Sequence, residues 1–389
     1  MARRLSPNPF GPGSTSPFGE AVVKPDSKWR HLDPLVVAVP IALSALGILM
    51  IYSATRVDIA GDPTYYLKRQ IAFVMLGILA MVGMMFVDYR KLRDQAHVLY
   101  GIVCVLLLFV LSPLGSSARG TQAWYGLPGG FQLQPSELAK LGLILAVAGY
   151  CYEHRGDLDA WRLTVAGGLA AVPIGLIMLQ PDLGTAMVLV FAVIGILAMA
   201  GARPLHLLAV AAAAITVGIG VWNAGILEEY QVDRLTVLVD DDADKSAEGY
   251  NQDQSQTAIG AGEGTGAGLF EGSQTQGQFV PEQHTDFIFT VIGEELGFLG
   301  GFSVIALFSL LIWRIWRVAN DTSDFFGMLV TIGVLSMFAF QIFENIGMTM
   351  GIMPVTGIPL PFLSYGGSAT ITSFACIGLV ANVSLRRFA

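Results

Sequence analysis

From residue 34 onward the chain alternates long apolar runs with short polar breaks. The runs lie near 34 to 53, 71 to 88, 95 to 112, 136 to 152, 162 to 180, 182 to 201, 204 to 222, 287 to 316, 325 to 349 and 366 to 385. Each approaches the ~20 residues that a helix needs to cross a hydrocarbon core. They are too long and too continuous for barrel strands, and backbone groups in lipid must be satisfied within the segment. The pattern therefore predicts an all-α, polytopic membrane protein of about ten transmembrane helices. One polar interruption stands out by its length: a loop at 223–285, between the seventh and eighth runs.

Composition agrees with this reading. Hydrophobic residues make up 53% of the chain and charged residues 13%, about half the charged share of a typical soluble domain; mean hydropathy is +0.61. The segment before Pro34 is rich in Pro, Gly and Ser and predicts a disordered tail over 1–33, ahead of a membrane domain over 34–389. The first run starts late and is long enough to span, which argues for a retained helix rather than a cleaved signal. Placing the N-terminus in the cytoplasm puts most loop Lys and Arg there as well. Both termini are then cytoplasmic, and the 223–285 loop faces outward. Cys104, Cys151 and Cys376 fall within runs, without metal-ligand spacing. No basic stripe suited to nucleic acid exists.

The outward loop is acidic, most densely at Asp240 to Asp244, where a solvated face is the simplest reading. Its later part is rich in Gly and Gln, which allow close backbone approach and offer amide donors. It ends in VPEQHTDFIFTVIGEELGFLG, Val280 to Gly300, where polar loop turns into apolar helix with Asp286 at the seam. A carboxylate there can meet a substrate with a polar head and a lipid tail; the alternative is a helix N-cap.

Charge inside the runs is the second signal, because an ionisable side chain in lipid is costly and is usually paired or functional. In QPSELAK, Glu137 and Lys140 are three residues apart and share a helix face. They form either a structural ion pair or a polar cavity that orients a charged ligand. In QPDLGTA, Asp182 marks an outer turn and is either a site residue or an N-cap. Lys68, Arg69 and Arg119 are outward cations beside the membrane, either interfacial anchors or a rim for a diphosphate. GIMPVTGIPLPFLSYGGSATI, Gly351 to Ile371, reads as a broken re-entry into the membrane, tolerated only against protein or a water-filled cavity.

QPSELAK, QPDLGTA, PEQHTDFIF with GEELG, and PLPFLSYGGS, in this order on a ten-span scaffold, resemble the SEDS family of bacterial cell-wall polymerases, whose members include RodA and FtsW. QPDLGTA and GIPLPF look more like the RodA branch. The resemblance implies a peptidoglycan glycosyltransferase that polymerises lipid II at the outer face of the cytoplasmic membrane, for cell elongation and shape. It implies a separate class B penicillin-binding protein as transpeptidase partner. The essential aspartate of the family motif falls on Asp286, with Glu282 and His284 at neighbouring motif positions, and the polar-cavity residues fall on Glu137 and Lys140. The family often has two further basic residues, at positions that read Ala123 and Gln132 here. That raises the weight of Arg119, Lys68 and a bound divalent cation, Mg or Mn, for which no recognisable site exists in the sequence.

The chemistry is coherent with one carboxylate. Glycosidases commonly need two, one of them to protonate a poor leaving oxygen, whereas a lipid diphosphate departs as an anion. A single general base on the acceptor hydroxyl then suffices, with Arg69, Arg119 or Lys140 stabilising the developing charge. Two other classes remain open on sequence: a lipid II flippase, which also needs an intramembrane polar cavity, and a scaffold for wall-synthesis partners.

Overall fold

The computed structural model describes residues 32–57, 62–118, 121–209 with 212, 216 and 220, and 247–387. The expected tail (1–33), apart from its last two residues, Arg119 and the acidic run Asp240 to Asp244 lie outside them.

Nine of the ten apolar runs are helices among the described residues: α1 (Pro34–Thr55), α2 (Tyr65–Phe86), α4 (Ala96–Val110), α5 (Pro135–Glu153), α6 (Ala160–Met178), α7 (Leu183–Met199), α10 (Ile288–Asp321), α11 (Phe325–Thr349) and α12 (Gly367–Arg386). The remaining run, 204–222, is helical over 204–209 and lies largely outside the described residues. Six helices are long and apolar enough to cross a membrane by length and composition, and α4 and α7 are shorter apolar helices. α5, α11 and α12 are the most enclosed; α2 and α4 turn Met75, Leu79, Phe86 and Leu108 outward, as lipid-facing surfaces do.

Helix starts are set by aspartates. Asp33, Asp88, Asp159, Asp182 and Asp324 each accept a backbone N–H of the first turn of α1, the short α3 (Tyr89–Asp94), α6, α7 and α11. Such a cap satisfies one of the donors that every helix start leaves unpaired. Asp33 also meets Arg314 at 2.8 Å, tying the start of α1 to the far end of α10.

Two departures from a purely helical bundle sit on one face, that of Asp286. Residues 116–133 form an antiparallel three-stranded sheet, β1 (Ser116–Ala118), β2 (Thr121–Leu127) and β3 (Phe131–Leu133), with Tyr125 opposite Leu133 and Leu127 opposite Phe131. The all-α expectation missed it because β1 and β3 have only three residues each and Gly and Pro interrupt the connection between β2 and β3. The described part of the long loop is also built: α8 (Ala247–Ala261) and α9 (Ser273–Gln276) pack onto the bundle. α8 is polar rather than apolar, and it caps another helix. Gln252 Nε2 donates to the carbonyls of Met348 and Met353 at 2.9 and 3.0 Å, and Ser255 Oγ to that of Thr349 at 3.0 Å. The carbonyls that α11 leaves open at its end are thus satisfied.

The loop glycines approach backbone. α10 breaks at Gly297, which has φ +64°; a Cβ there would lie 2.3 Å from the Gly266 nitrogen. Across the break, Ala267 and Gly268 N–H donate to the carbonyls of Glu294 and Glu295, while Phe298 and Leu299 N–H donate to those of Glu263 and Gly264. Glu294, fully buried, accepts from the backbone N–H of Gln274 and Thr275 and from the Thr275 hydroxyl at 2.6 to 2.8 Å, capping α9. Glu295 accepts from Ser53 Oγ of α1 at 2.5 Å.

Candidate functional site

Asp286 closes a turn over residues 281–287, in which Thr285 and Asp286 N–H donate to the Glu282 carbonyl. The N-cap of α10 is Phe287, which makes no side-chain cap bond. Asp286 therefore stands one residue before the cap. Its backbone carbonyl accepts a 2.7 Å bond from Asn345 Nδ2 of α11.

Aromatic contacts link the turn to its neighbours. The His284 ring lies 4.6 Å from Tyr66 and 5.6 Å from Tyr365, and its carbonyl accepts Tyr365 N–H at 2.9 Å. Tyr365, from the 351–366 re-entry, also stands edge-on to Tyr66 and near Phe73, which in turn meets Phe131 of β3. The re-entry is tied to α2 by Gln70 Nε2, 3.3 Å from the Ser364 carbonyl. Ser368 Oγ bridges the Gln132 carbonyl and Gln134 N–H, joining the start of α12 to the sheet and to α5.

The other expected site residues divide by what they touch. Arg69 Nη1 donates to the Gly130 carbonyl at 3.0 Å, and its guanidinium lies over Tyr65 and Phe131 at 4.7 and 5.5 Å. It braces α2 against the sheet through cation–π contacts. Lys68 is exposed and pairs with Asp62 at 3.1 Å. Hydrogen bonds from Thr64 and then Lys68 hold the Asp62 carboxyl down at about 2. Glu137 and Lys140 meet at 2.6 Å with only 3% and 2% of each residue exposed, in the first two turns of α5. Asp182 accepts Thr185 N–H at 2.9 Å as the cap of α7, and its second oxygen lies 3.4 Å from Gln134 Nε2.

Asp286, His284, Lys68, Arg69 and Asp182 thus share one face, with the Glu137–Lys140 pair beneath it. Tyr66, Tyr365 and Asn345 belong to the same network and went unread in the sequence. The signal for Asn345 was present as an amide inside the apolar run QIFENIGM. No group of three or more His, Cys, Asp or Glu side chains that could hold a metal occurs among the described residues. These side chains do not by themselves make a donor set for a resident divalent ion. An apolar groove of about 640 Å³ between α4 and α6, lined by Cys104, Leu108, Val172 and Leu176 among others, lies apart from these residues.

Comparison with known proteins places the arrangement. The family model described as "Cell cycle protein", FTSW_RODA_SPOVE, matches residues 33–388. Stage V sporulation protein E of Bacillus subtilis (strain 168) is 37% identical over 358 residues, 90% of this chain and 96% of that protein. The peptidoglycan glycosyltransferase MrdB of Escherichia coli (strain K12) is 35% identical over 357 residues, 92% of this chain and 94% of that protein. Among solved structures, the Thermus thermophilus rod shape determining protein RodA superposes with a TM-score of 0.69 at 32% identity, over 93% of this chain and 99% of that one. A chain from a structure described as the coordination of polymerization and crosslinking by a peptidoglycan synthase complex reaches 0.78 at 34%, over 92% of this chain and 98% of that one. The chain is a membrane protein and belongs to the SEDS family, that of FtsW, RodA and SpoVE. Relatives bearing the sporulation, FtsW and MrdB names match at nearly equal identity, so overall identity does not favour one branch.

Proposed function

We propose that this chain is a peptidoglycan glycosyltransferase: it polymerises lipid II into β-1,4 glycan and releases undecaprenyl diphosphate. Asp286 takes the proton of the acceptor GlcNAc 4-hydroxyl as general base. The hydroxyl oxygen forms a bond to the donor anomeric carbon in line as the bond from that carbon to the diphosphate oxygen breaks. The electron pair leaves with the diphosphate, whose charge is met by Lys68 and Arg69 at the rim, by Arg119, and by Lys140, oriented by Glu137, from beneath; His284 and Asp182 shape the substrate face. The observation that carries this reading is the placement of Asp286. It lies at the junction of polar layer and apolar helix, one residue short of the cap position, in a turn bound to three other segments.

The reaction belongs on the outer face of the bacterial cytoplasmic membrane. Arg90, Lys91, Arg93, Arg155, Arg162, Arg203, Arg314, Arg317, Arg386 and Arg387 lie toward the opposite side of the bundle, while Arg56, Lys68 and Arg69 lie on the Asp286 side. That asymmetry supports a cytoplasmic opposite face with both termini on it. It also supports ten spans and an extracytoplasmic 223–285. The synthase-complex neighbour supports a class B penicillin-binding protein as partner, and the motif likeness to RodA supports elongation.

The test is polymerisation of purified lipid II by the detergent-solubilised chain and its Asp286→Ala variant, each with a class B partner. Glycan from the wild type alone is the expected result. Equal glycan from both would remove Asp286 as base, and none from either, with folded protein and bound partner, would favour a flippase or a scaffold.

A further inference from the structure

Asn345 is fully buried in α11, four residues before its end at Thr349. A primary amide has two N–H donors and one carbonyl acceptor. Here Nδ2 lies 2.7 Å from the Asp286 carbonyl and 2.7 Å from the Ile358 carbonyl. Both partners are acceptors only, so the nitrogen must face them and the amide orientation is fixed by chemistry. Its Oδ1 has no hydrogen-bond partner among the described residues. The side chain is therefore used as a two-donor staple.

What it staples is the backbone around Asp286. The ladder of α10 begins at the N-cap Phe287, so the Asp286 carbonyl lies one step outside it. Two residues earlier, the His284 carbonyl accepts Tyr365 N–H at 2.9 Å. Two points thus anchor the turn, with only Thr285 between them, and both lead to the re-entry segment that carries Ile358 and Tyr365. A long-range bond on Asp286's own peptide limits where its carboxylate can stand.

We infer that Asn345 is a positioning residue for Asp286: by donating one amide hydrogen to the Asp286 carbonyl and the other to that of Ile358, it fixes the place from which the carboxylate meets the acceptor hydroxyl. This rests on the reading of Asp286 as the base. A misplacement near 1 Å costs a catalytic step roughly 100-fold, so loss of the staple lowers kcat and leaves substrate binding largely intact.

Gln252 supplies a matched control. Its amide makes the same two-carbonyl contact, at 2.9 and 3.0 Å, to Met348 and Met353, and it is nearly as buried, but it does not touch the Asp286 turn. The experiment compares Asn345→Leu, Asn345→Asp, Gln252→Leu and Asp286→Ala in the full chain with its partner, reading kcat, KM for lipid II and melting temperature. The expected result is a fall in kcat of about tenfold or more for both Asn345 variants, with KM within about twofold. Gln252→Leu should keep kcat while melting as low as they do. Asn345→Leu with wild-type kcat overturns the inference, as does an equal loss of kcat in Gln252→Leu. Failure of both Asn345 variants to fold while Gln252→Leu folds also overturns it, since the staple then serves the fold. Asp286→Ala separates the two readings: if it still polymerises, the base assignment itself fails, whereas an inactive Asp286→Ala beside an unaffected Asn345→Leu refutes only the staple.

Discussion

Asp182 and Asp286 stand at the heads of two helices on the same face, each at the end of a motif that a sequence reader would give to a helix cap. In the fold they part. Asp182 accepts the N–H of Thr185 and leans toward Gln134, so its carboxylate holds α7 and joins it to α5. At α10 the cap position is Phe287, and Asn345 grips the main chain of Asp286. The first aspartate works through its side chain on its own helix. For the second, the protein brings in a side chain from 59 positions away to support the backbone itself. A carboxylate beside a helix start says little until one knows which atoms bear the structural duty.

The comparison is tested most severely by removing each carboxylate in turn. Asp286→Ala is expected to lose polymerisation altogether while keeping its melting temperature, measured as glycan product and by thermal scan. An active variant would erase the distinction. The next largest effect concerns the Glu137–Lys140 pair, two buried charges 2.6 Å apart. Lys140→Met or Glu137→Gln alone should destabilise by about 3–5 kcal/mol by stranding the other charge, and the double variant should recover much of it. Equal melting for single and double variants would show that the two are not coupled.

Asp182→Ala should cost about 1 kcal/mol, the usual worth of an N-cap, with polymerisation retained within a few fold. A total loss there would put Asp182 beside Asp286 as a reacting group. The smallest effect is at Asp62. Its carboxyl is held down at about 2 by Thr64 and Lys68, so what this lowered value contributes is present above the ordinary carboxylate range and is lost only as pH falls toward 2. Asp62→Asn should therefore melt close to wild type at both pH 7 and pH 5, as an exposed pair does. A clear difference would mean that Lys68 is bound more firmly than its exposure implies.

Legibility in the sequence followed the range of the interactions. The apolar runs were readable because lipid demands a continuous stretch, and the Glu137–Lys140 pair because i and i+3 fix proximity within one helix. The D-x-x-T spacing at Asp182 likewise contained its own cap. The sheet at 116–133 was hidden, since its two outer strands have only three residues each and TQAWYGL, the central one, shows no clean alternation of apolar and polar positions. The break at Gly297 was hidden too, because GEELGFLGG reads as unbroken helix until the loop that completes it is known. Asn345 was least visible of all: its partners are carbonyls 59 and 13 positions away, and a backbone carbonyl carries no residue signature.

The Gly297 break has a consequence for the life history of the chain. Residues 263–268 leave the ribosome before 294–299, yet each stretch supplies hydrogen bonds that the other lacks. Neither is complete alone in a bilayer, so the upper turns of α10 cannot settle until the preceding loop has folded back to meet them. Excising the loop would not yield a trimmed version of the same molecule. It would leave a bent helix with bare carbonyls at the membrane surface, a natural target for quality-control proteases.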